Sequence, residues 1–223
     1  MAVSGTGVSI GSRTVRVLQV KRDKAGSWAV ERALITPIEG GESGSRAAAE
    51  ARAAVTSAQA KGRALVGLSG KDLIVRYTQV PPVPDWRLAM LMDFEIQEVS
   101  EQSGGDVSAA YKLLDVDDTT SGDNVVLVAL VKNAYLAPRL AALQAAGLNV
   151  LGGAPRALGA YWAYKENGHL RFDETVVIVH IGHENTDVAI SRNGHLLFAR
   201  NVSGGSKLFT DALAQNMRVN AAT

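Results

Sequence analysis

The sequence predicts an α/β protein in which one strand–turn–strand unit occurs twice. Strand-like and helix-like stretches alternate along its 223 residues, a pattern typical of helices packed on sheets. Residues 8–13 and 179–184 each contain the Ile-Gly end of an apolar strand, and an alternating strand follows both. We therefore predict one full half, a small inserted α+β module, and the first part of a second half.

The first half begins with three strands joined by tight turns. Residues 14–21 alternate apolar and polar side chains with the period of two that a half-buried strand shows. Residues 46–60 are rich in alanine, the residue with the highest helix propensity. The predicted elements are strands at 7–10, 14–21, 28–37, 65–68 and 72–80, with a helix at 46–60.

The prolines of residues 81–84 mark the predicted start of the inserted module. Three prolines in four residues end a strand, because proline lacks the backbone N–H that a sheet uses. A helix follows at 86–102, with an apolar stripe at spacings of three and four, and Gly104 and Gly105 end it. The module continues with strands at 107–116, 124–131 and 149–151, a polar loop at 117–123 and a helix at 133–146.

The second half opens with a continuous apolar strand at 176–182, which we expect to be buried on both faces. The dipeptide Asn193-Gly194 predicts a β-hairpin, since both residues accept the positive φ angles of a tight turn. The strand at 196–201 would then form an unpaired sheet edge. Further helices are predicted at 154–165 and 207–217.

Composition narrows the classes of function. The chain has no cysteine, which excludes disulfides, thiolate zinc sites and cysteine nucleophiles. Its 23 basic and 22 acidic residues lack the positive excess that nucleic acid attracts. No apolar run reaches the roughly 18 residues of a membrane span, and the first residues do not resemble a signal peptide. We expect a cytoplasmic protein with no nucleic-acid partner and no membrane span.

Segments along nearly the whole chain resemble the actin-like ATPase superfamily and, within it, the PilM proteins of type IV pilus assembly. The segments are residues 7–16, 72–84, 94–98, 145–148, 179–182 and 193–205. Members have two ribonuclease-H-like halves that each present a strand–glycine–turn to the nucleotide phosphates. The resemblance implies a first subdomain of residues 1–84 and 152–173, an inserted α+β subdomain of 85–151, and the start of a second subdomain at 174–223.

The same resemblance places eight residues at the two phosphate turns. They are Ser9, Gly11, Ser12, Arg13, His180, Gly182, His183 and Thr186. The superfamily usually carries an aspartate just before each Ile-Gly, and these carboxylates hold magnesium. In this chain Ser9 and His180 occupy those positions, and a hydroxyl and an imidazole are poor magnesium ligands. We therefore expect a vestigial nucleotide site, no catalytic residue, no metal and no cofactor in this chain, although an intact member would bind ATP and Mg²⁺.

Three local patterns in the sequence give only weak indications of a metal site, an anion site or a nucleophile. His180 and His183 lie three residues apart, but no third ligand of a zinc site is evident nearby. The run Gly204 to Lys207 lacks the spacing of a phosphate loop, which leaves only a weak anion site at a helix N-terminus. Ser69 does not lie in the pattern of a nucleophile elbow.

The resemblance implies a scaffold, peripheral to the inner membrane, that binds a short peptide of a PilN-like inner-membrane partner. Trp86, Met90 and Phe94 are the candidate peptide contacts, because they add apolar side chains beyond one core stripe. Packing against the second helix of the insert is the alternative for these three. Two other functions stay open: an ATPase or sugar-kinase-like phosphotransferase that uses Asp187 or Glu184, and the cytoplasmic domain of a GspL-like type II secretion protein. Self-association also stays open.

Overall fold

The computed structural model describes residues 3–38, 44–102, 106–116, 122–167 and 173–220. Its strands are β1 (Val3–Ile10), β2 (Thr14–Arg22), β3 (Trp28–Pro37), β4 (Gly62–Leu68), β5 (Leu73–Val80), β6 (Val107–Leu113), β7 (Asn124–Lys132), β8 (Leu148–Pro155), β9 (Thr175–Ile181), β10 (Asn185–Arg192) and β11 (His195–Ser203). Its helices are α1 (Gly44–Ala58), α2 (Asp85–Gln102), α3 (Asn133–Ala145), α4 (Arg156–Glu166) and α5 (Ser206–Met217). The order of the elements is the predicted one. Gly104, Gly105 and most of the predicted polar loop lie outside the described residues.

A five-stranded sheet forms the first half, with the order β3-β2-β1-β4-β8. Strands β1 to β3 pair antiparallel, and β4 pairs parallel with both β1 and β8. One face of this sheet is buried under α1 and α3, where Val8, Ile10 and Val17 contribute to the main core. The alanines of α1 allow this helix to approach closely, since they add little volume between helix and sheet. The sheet thereby holds the β1–β2 turn on a rigid support.

The inserted unit is a second sheet, β5-β7-β6, with α2 packed on it. The predicted bounds of the inserted subdomain, residues 85–151, stay a prediction. Strand β5 precedes the prolines and still pairs with β7, whereas β8 pairs with β4 in the first sheet. The prolines end β5 without ending its sheet, because α2 folds back over the same strands. The strands of this second sheet lie between residues 73 and 132, and α3 packs on α1.

A three-stranded antiparallel sheet, β11-β10-β9, begins the second half. Helix α4 covers one face through Ala157 and Tyr161. The hairpin prediction is confirmed, because Asn193 and Gly194 have φ angles of 52° and 78° and join β10 to β11. Strand β11 is an outer strand, as expected for the segment 196–201, and β9 is the other outer strand.

The expectation that β9 is buried on both faces is wrong. Val177, Val179 and Ile181 are 52–58% exposed within the part of the chain that the structure describes. Both faces of β9 are apolar in sequence, but α4 packs on only the face that carries Ile178. An apolar run therefore indicates what a strand is able to bury and does not show which face has a covering element.

No helix in the described ranges combines the length and the apolar character needed to cross a bilayer.

Candidate functional site

The first glycine turn connects β1 to β2. The Gly11 N–H donates to the Thr14 carbonyl at 2.9 Å, which closes the turn directly after the buried Ile10. Ser12 is buried, whereas Arg13 extends to the surface. The turn therefore presents one cation beside a glycine that lets other groups approach the backbone.

The second glycine turn connects β9 to β10 with the same hydrogen bond. The Gly182 N–H donates to the Asn185 carbonyl, also at 2.9 Å. Here the start of α5 packs directly against the turn. The Ser206 and Lys207 N–H groups donate to the Gly182 and His183 carbonyls at 2.8 and 2.9 Å. The equal hydrogen bonds show that the two predicted units share one local structure.

The two turns face each other across a cavity of about 230 Å³. Seven of the eight predicted turn residues line it: Ser9, Gly11, Ser12, Arg13, His180, Gly182 and His183. The eighth, Thr186, instead donates its hydroxyl to the Gly204 carbonyl at 2.7 Å and so fixes the approach to α5. The structure thus brings together residues that lie about 170 positions apart in the chain.

Two arginine–histidine contacts cross this cavity. Arg13 Nε donates to His183 Nε2 at 3.3 Å, and Arg16 Nη1 lies 3.0 Å from His180 Nε2. A guanidinium is only a donor, so each histidine accepts with an unprotonated Nε2. The contacts link the first half to the second without any carboxylate.

A polar network behind the cavity was not predicted from the sequence. Asp187 accepts from Arg156 Nε at 2.5 Å through Oδ2, and from Asn201 Nδ2 at 2.8 Å and the Ser69 hydroxyl at 3.1 Å through Oδ1. His180 Nδ1 lies 3.4 Å from Oδ2. Arg156 Nη2 also donates to Ser69 at 2.9 Å. Five elements meet in this network, namely the end of β4, the first residue of α4, and the strands β9, β10 and β11.

Asp187 is 1% exposed and remains ionised in these surroundings. Burial alone would raise the pKa of its carboxyl. Hydrogen bonds from His180, Arg156 and Asn201, together with the Arg156 charge, outweigh burial and lower the pKa below its ordinary value of 3.8. Both carboxylate oxygens are therefore engaged, and Asp187 is not free to hold a metal.

The donors around the cavity do not suit magnesium. Mg²⁺ requires oxygen ligands, preferably carboxylates. The polar side chains that line the cavity are hydroxyls, imidazoles, an amide and three guanidinium groups, and no carboxylate lines it. No cluster of three His, Cys, Asp or Glu side chains suited to a metal occurs in the described ranges. The chemistry of the site thus disagrees with a metal-dependent nucleotide site.

A neighbouring cavity of about 590 Å³ shares His183 and Asn185 with the first. Lys207 lines it at the start of α5, but its ammonium donates to Asp211 at 2.9 Å. That hydrogen bond raises the pKa of Lys207. Because the first N–H groups of α5 already donate to the second turn, the weak anion site predicted at Gly204 to Lys207 lacks free donors from Ser206 and Lys207.

Helix α2 carries the third predicted feature. Its inner face is buried through Leu88, Met92 and Val99. Trp86, Met90 and Phe94 are 66%, 64% and 70% exposed and do not pack into the insert core. Their spacing of four residues places them along one side of the helix. We call these three residues the outer stripe of α2.

Comparisons with known proteins place the chain in a defined group. The family model described as "Type IV pilus assembly protein PilM" matches residues 7–222. Among solved structures, a "PilM-PilN type IV pilus biogenesis complex" superposes with a TM-score of 0.78 at 20% identity, covering 99% of this chain and 67% of the other. The cytoplasmic domain of EpsL, an inner-membrane component of the type II secretion system of Vibrio cholerae, gives 0.53 at 14% identity over 99% and 78%. No curated protein matches the chain closely enough to count as a relative.

Proposed function

Because the chain belongs to the PilM family of type IV pilus assembly proteins and has the predicted actin-like fold, we propose that it is a peptide-binding scaffold of the pilus machine. In this proposal it sits on the cytoplasmic side of the inner membrane. The outer stripe of α2 binds a short peptide of a PilN-like inner-membrane partner. The exposure of Trp86, Met90 and Phe94 is the observation that carries the proposal.

Three large side chains in one row suit a short peptide. A helix of this kind needs only its inner face for folding, and α2 already buries that face against β7 through Leu88 and Met92. Tryptophan and other aromatic residues supply much of the binding energy at protein interfaces. The similar structure of a PilM–PilN complex supports a PilN-like partner by its printed title.

The proposed scaffold has lost metal-dependent ATP hydrolysis, or retains nucleotide binding only weakly. Ser9 and His180 offer no carboxylate, and Asp187 is held by Arg156. Glu184 lines the neighbouring cavity and not the one between the turns. Isothermal titration with Mg²⁺-ATP should therefore show no micromolar binding, and a phosphate-release assay should show no turnover. Micromolar binding with turnover would overturn this part of the proposal and favour the ATPase alternative.

The peptide site is tested with the full chain and a labelled synthetic peptide from the cytoplasmic N-terminus of the PilN-like partner. We expect Trp86→Ala and Phe94→Ala each to weaken binding by about tenfold or more, as for central aromatic contacts. Fluorescence anisotropy measures the affinity. Trp28→Ala is the matched control, because Trp28 is an exposed tryptophan on β3, the edge strand of the five-stranded sheet. If all three variants bind like the unchanged protein, the outer stripe is not the peptide site.

A further inference from the structure

We propose that the free edge of β9 is the interface of a homodimer, in which β9 pairs antiparallel with β9 of a second copy of the chain. Val179 lies near the two-fold axis of this dimer, and the apolar side chains of β9 and α5 are buried between the two copies. The proposal is independent of the outer stripe of α2 and of the cavity between the turns.

The first observation is that β9 lacks the features that keep an outer strand from pairing with another chain. Natural outer strands are commonly protected by charged side chains, prolines or β-bulges. Among the outer strands that the structure describes, β8 has an irregular register with β4, and β3, β5, β6 and β11 carry Arg32, Arg76, Lys112 and Arg200. Strand β9 has no Lys, Arg, Asp or Glu residue, and its register with β10 is regular throughout.

The second observation is the uncovered apolar face of the same strand. Val177, Val179 and Ile181 occupy alternate positions, so their side chains lie on one face of the sheet, and each is more than half exposed. In the first half the matching positions before the glycine turn are Val8 and Ile10, which are buried in the main core. The repeated unit therefore has a covered face in the first half and an open one in the second.

The third observation is helix α5, which buries none of its residues within its own chain. Phe209, Leu213 and Met217 recur every four residues, so they form one row along the helix, and each is at least 60% exposed. The first turn of α5 is held at the end of β9, because the Ser206 N–H donates to the Gly182 carbonyl at 2.8 Å. Helix α5 therefore begins where the apolar face of β9 ends.

A two-fold axis near Val179 makes β9 complementary to itself. An antiparallel pairing centred there sets Val177 opposite the partner's Ile181, and the apolar side chains of both strands share one face of the joined sheet. The same pairing brings the start of α5 beside the N-terminal end of the second copy's β9. Complete burial of the apolar side chains of β9 and α5 would remove an area on the order of the 800 Å² per copy that a stable interface buries.

The test is sedimentation of the full chain in an analytical ultracentrifuge at increasing concentration, where we expect a concentration-dependent dimer. Val179→Lys should raise the dissociation constant of the dimer about a hundredfold or more, because it sets two like charges against each other at the axis. Phe209→Ala should raise it by about tenfold, as for a contact away from the centre. Val30→Lys is the matched control, since Val30 is an exposed valine on the outer strand β3, and it should leave the dimer unchanged.

A cysteine cross-link tests the pairing itself, because the chain has no cysteine of its own. Residues opposite each other in an antiparallel pair lie about 4.5–5.5 Å apart between Cα atoms, which is within the span of a disulfide. Val179→Cys should therefore give a covalent dimer under mild oxidation, whereas Val30→Cys should not. Non-reducing gel electrophoresis measures the linked fraction, and circular dichroism first confirms that each variant is folded.

Several outcomes would overturn the dimer. They are a chain that stays monomeric at every concentration, aggregates without a defined dimer, an equal effect of Val30→Lys, and equal cross-linking through Val30→Cys. If Val179→Lys instead abolishes binding of the PilN-like peptide to a monomeric chain, β9 is a peptide site and not a dimer interface. Failure of the dimer leaves the proposed scaffold function intact, because that function is tested separately through Trp86 and Phe94.

Discussion

The β1–β2 turn and the β9–β10 turn have one backbone hydrogen bond in common and differ in their surroundings. In both, the glycine N–H donates at 2.9 Å to the carbonyl three residues later. At the first turn a Cβ on Gly11 would lie 3.3 Å from the Thr14 carbonyl oxygen, which is a tight contact but not an overlap. The second turn is packed against α5, and a Cβ on Gly182 would lie 2.7 Å from the Asn185 carbonyl oxygen.

This difference separates the two reasons why a glycine occurs at such a turn. At Gly182 the glycine is needed for packing, because backbone atoms fill the space where a side chain would begin. At Gly11 the space is tight but not filled, and the glycine mainly keeps the cavity accessible. One local pattern therefore serves folding in the second half and access to the cavity in the first.

The largest expected effect is the loss of stability when Arg156, whose guanidinium lies between the two turns, is replaced. Arg156→Ala should destabilise the protein by about 3 kcal/mol, because it leaves the carboxylate of Asp187 buried without its main counter-ion. Urea unfolding measures the change. Arg192→Ala breaks an ion pair with Asp173 whose side chains are more than half exposed, and it should cost under about 1 kcal/mol. Equal costs for both variants would show that the network between the halves contributes no more than a surface pair.

A smaller loss of stability is expected when the glycine of either turn is replaced by alanine, and the two variants compare the turns directly. Gly182→Ala should cost about 1–3 kcal/mol, since the added methyl group would lie 2.7 Å from the Asn185 carbonyl oxygen, which closes the same turn by accepting from the Gly182 N–H. Gly11→Ala should cost about 1 kcal/mol or less, because its neighbour needs to shift by only a few tenths of an ångström. The thermal unfolding midpoints of the two variants, compared with that of the unchanged protein, measure the two losses of stability. A Gly11 variant that is the less stable of the two would reverse the comparison.

The smallest effect is a dependence of stability on pH. The pKa of Asp187 is lower in the folded protein than its ordinary value of 3.8. Its ionised form therefore stabilises the fold at every pH above that value, and this contribution is lost as the pH falls through the folded pKa. Urea unfolding at pH 6 should show the unchanged protein to be more stable than Asp187→Asn, and the gap should narrow at pH 3. A gap of constant size would contradict the assignment.

Local sequence patterns predicted much of the fold. The alternation at 14–21, the alanines at 46–60 and the Asn193-Gly194 pair each indicated the element that the structure contains. These successes rest on neighbours within a few positions, where period and turn chemistry act directly.

The predictions that differ from the structure concern contacts between distant segments. The exposed face of β9 depends on which sheet face has a helix packed on it. The network of Ser69, Arg156, Asp187 and Asn201 joins residues 14 to 132 positions apart. In the sequence Arg156 is an ordinary arginine after a proline, and nothing beside it indicates a buried carboxylate.

The sequence by itself therefore determined the order of the elements, the two glycine turns, the absence of a carboxylate at positions 9 and 180, and an apolar stripe on α2 beyond what its core needs. Only the tertiary structure decided that Arg156 fills the space between the turns and that Arg13 and Arg16 lack a carboxylate partner in the cavity. The physical reason is that periodicity records which face of an element is apolar and therefore able to be buried. The charge balance of a cavity depends on side chains that separate elements bring together, and that meeting exists only in the folded chain.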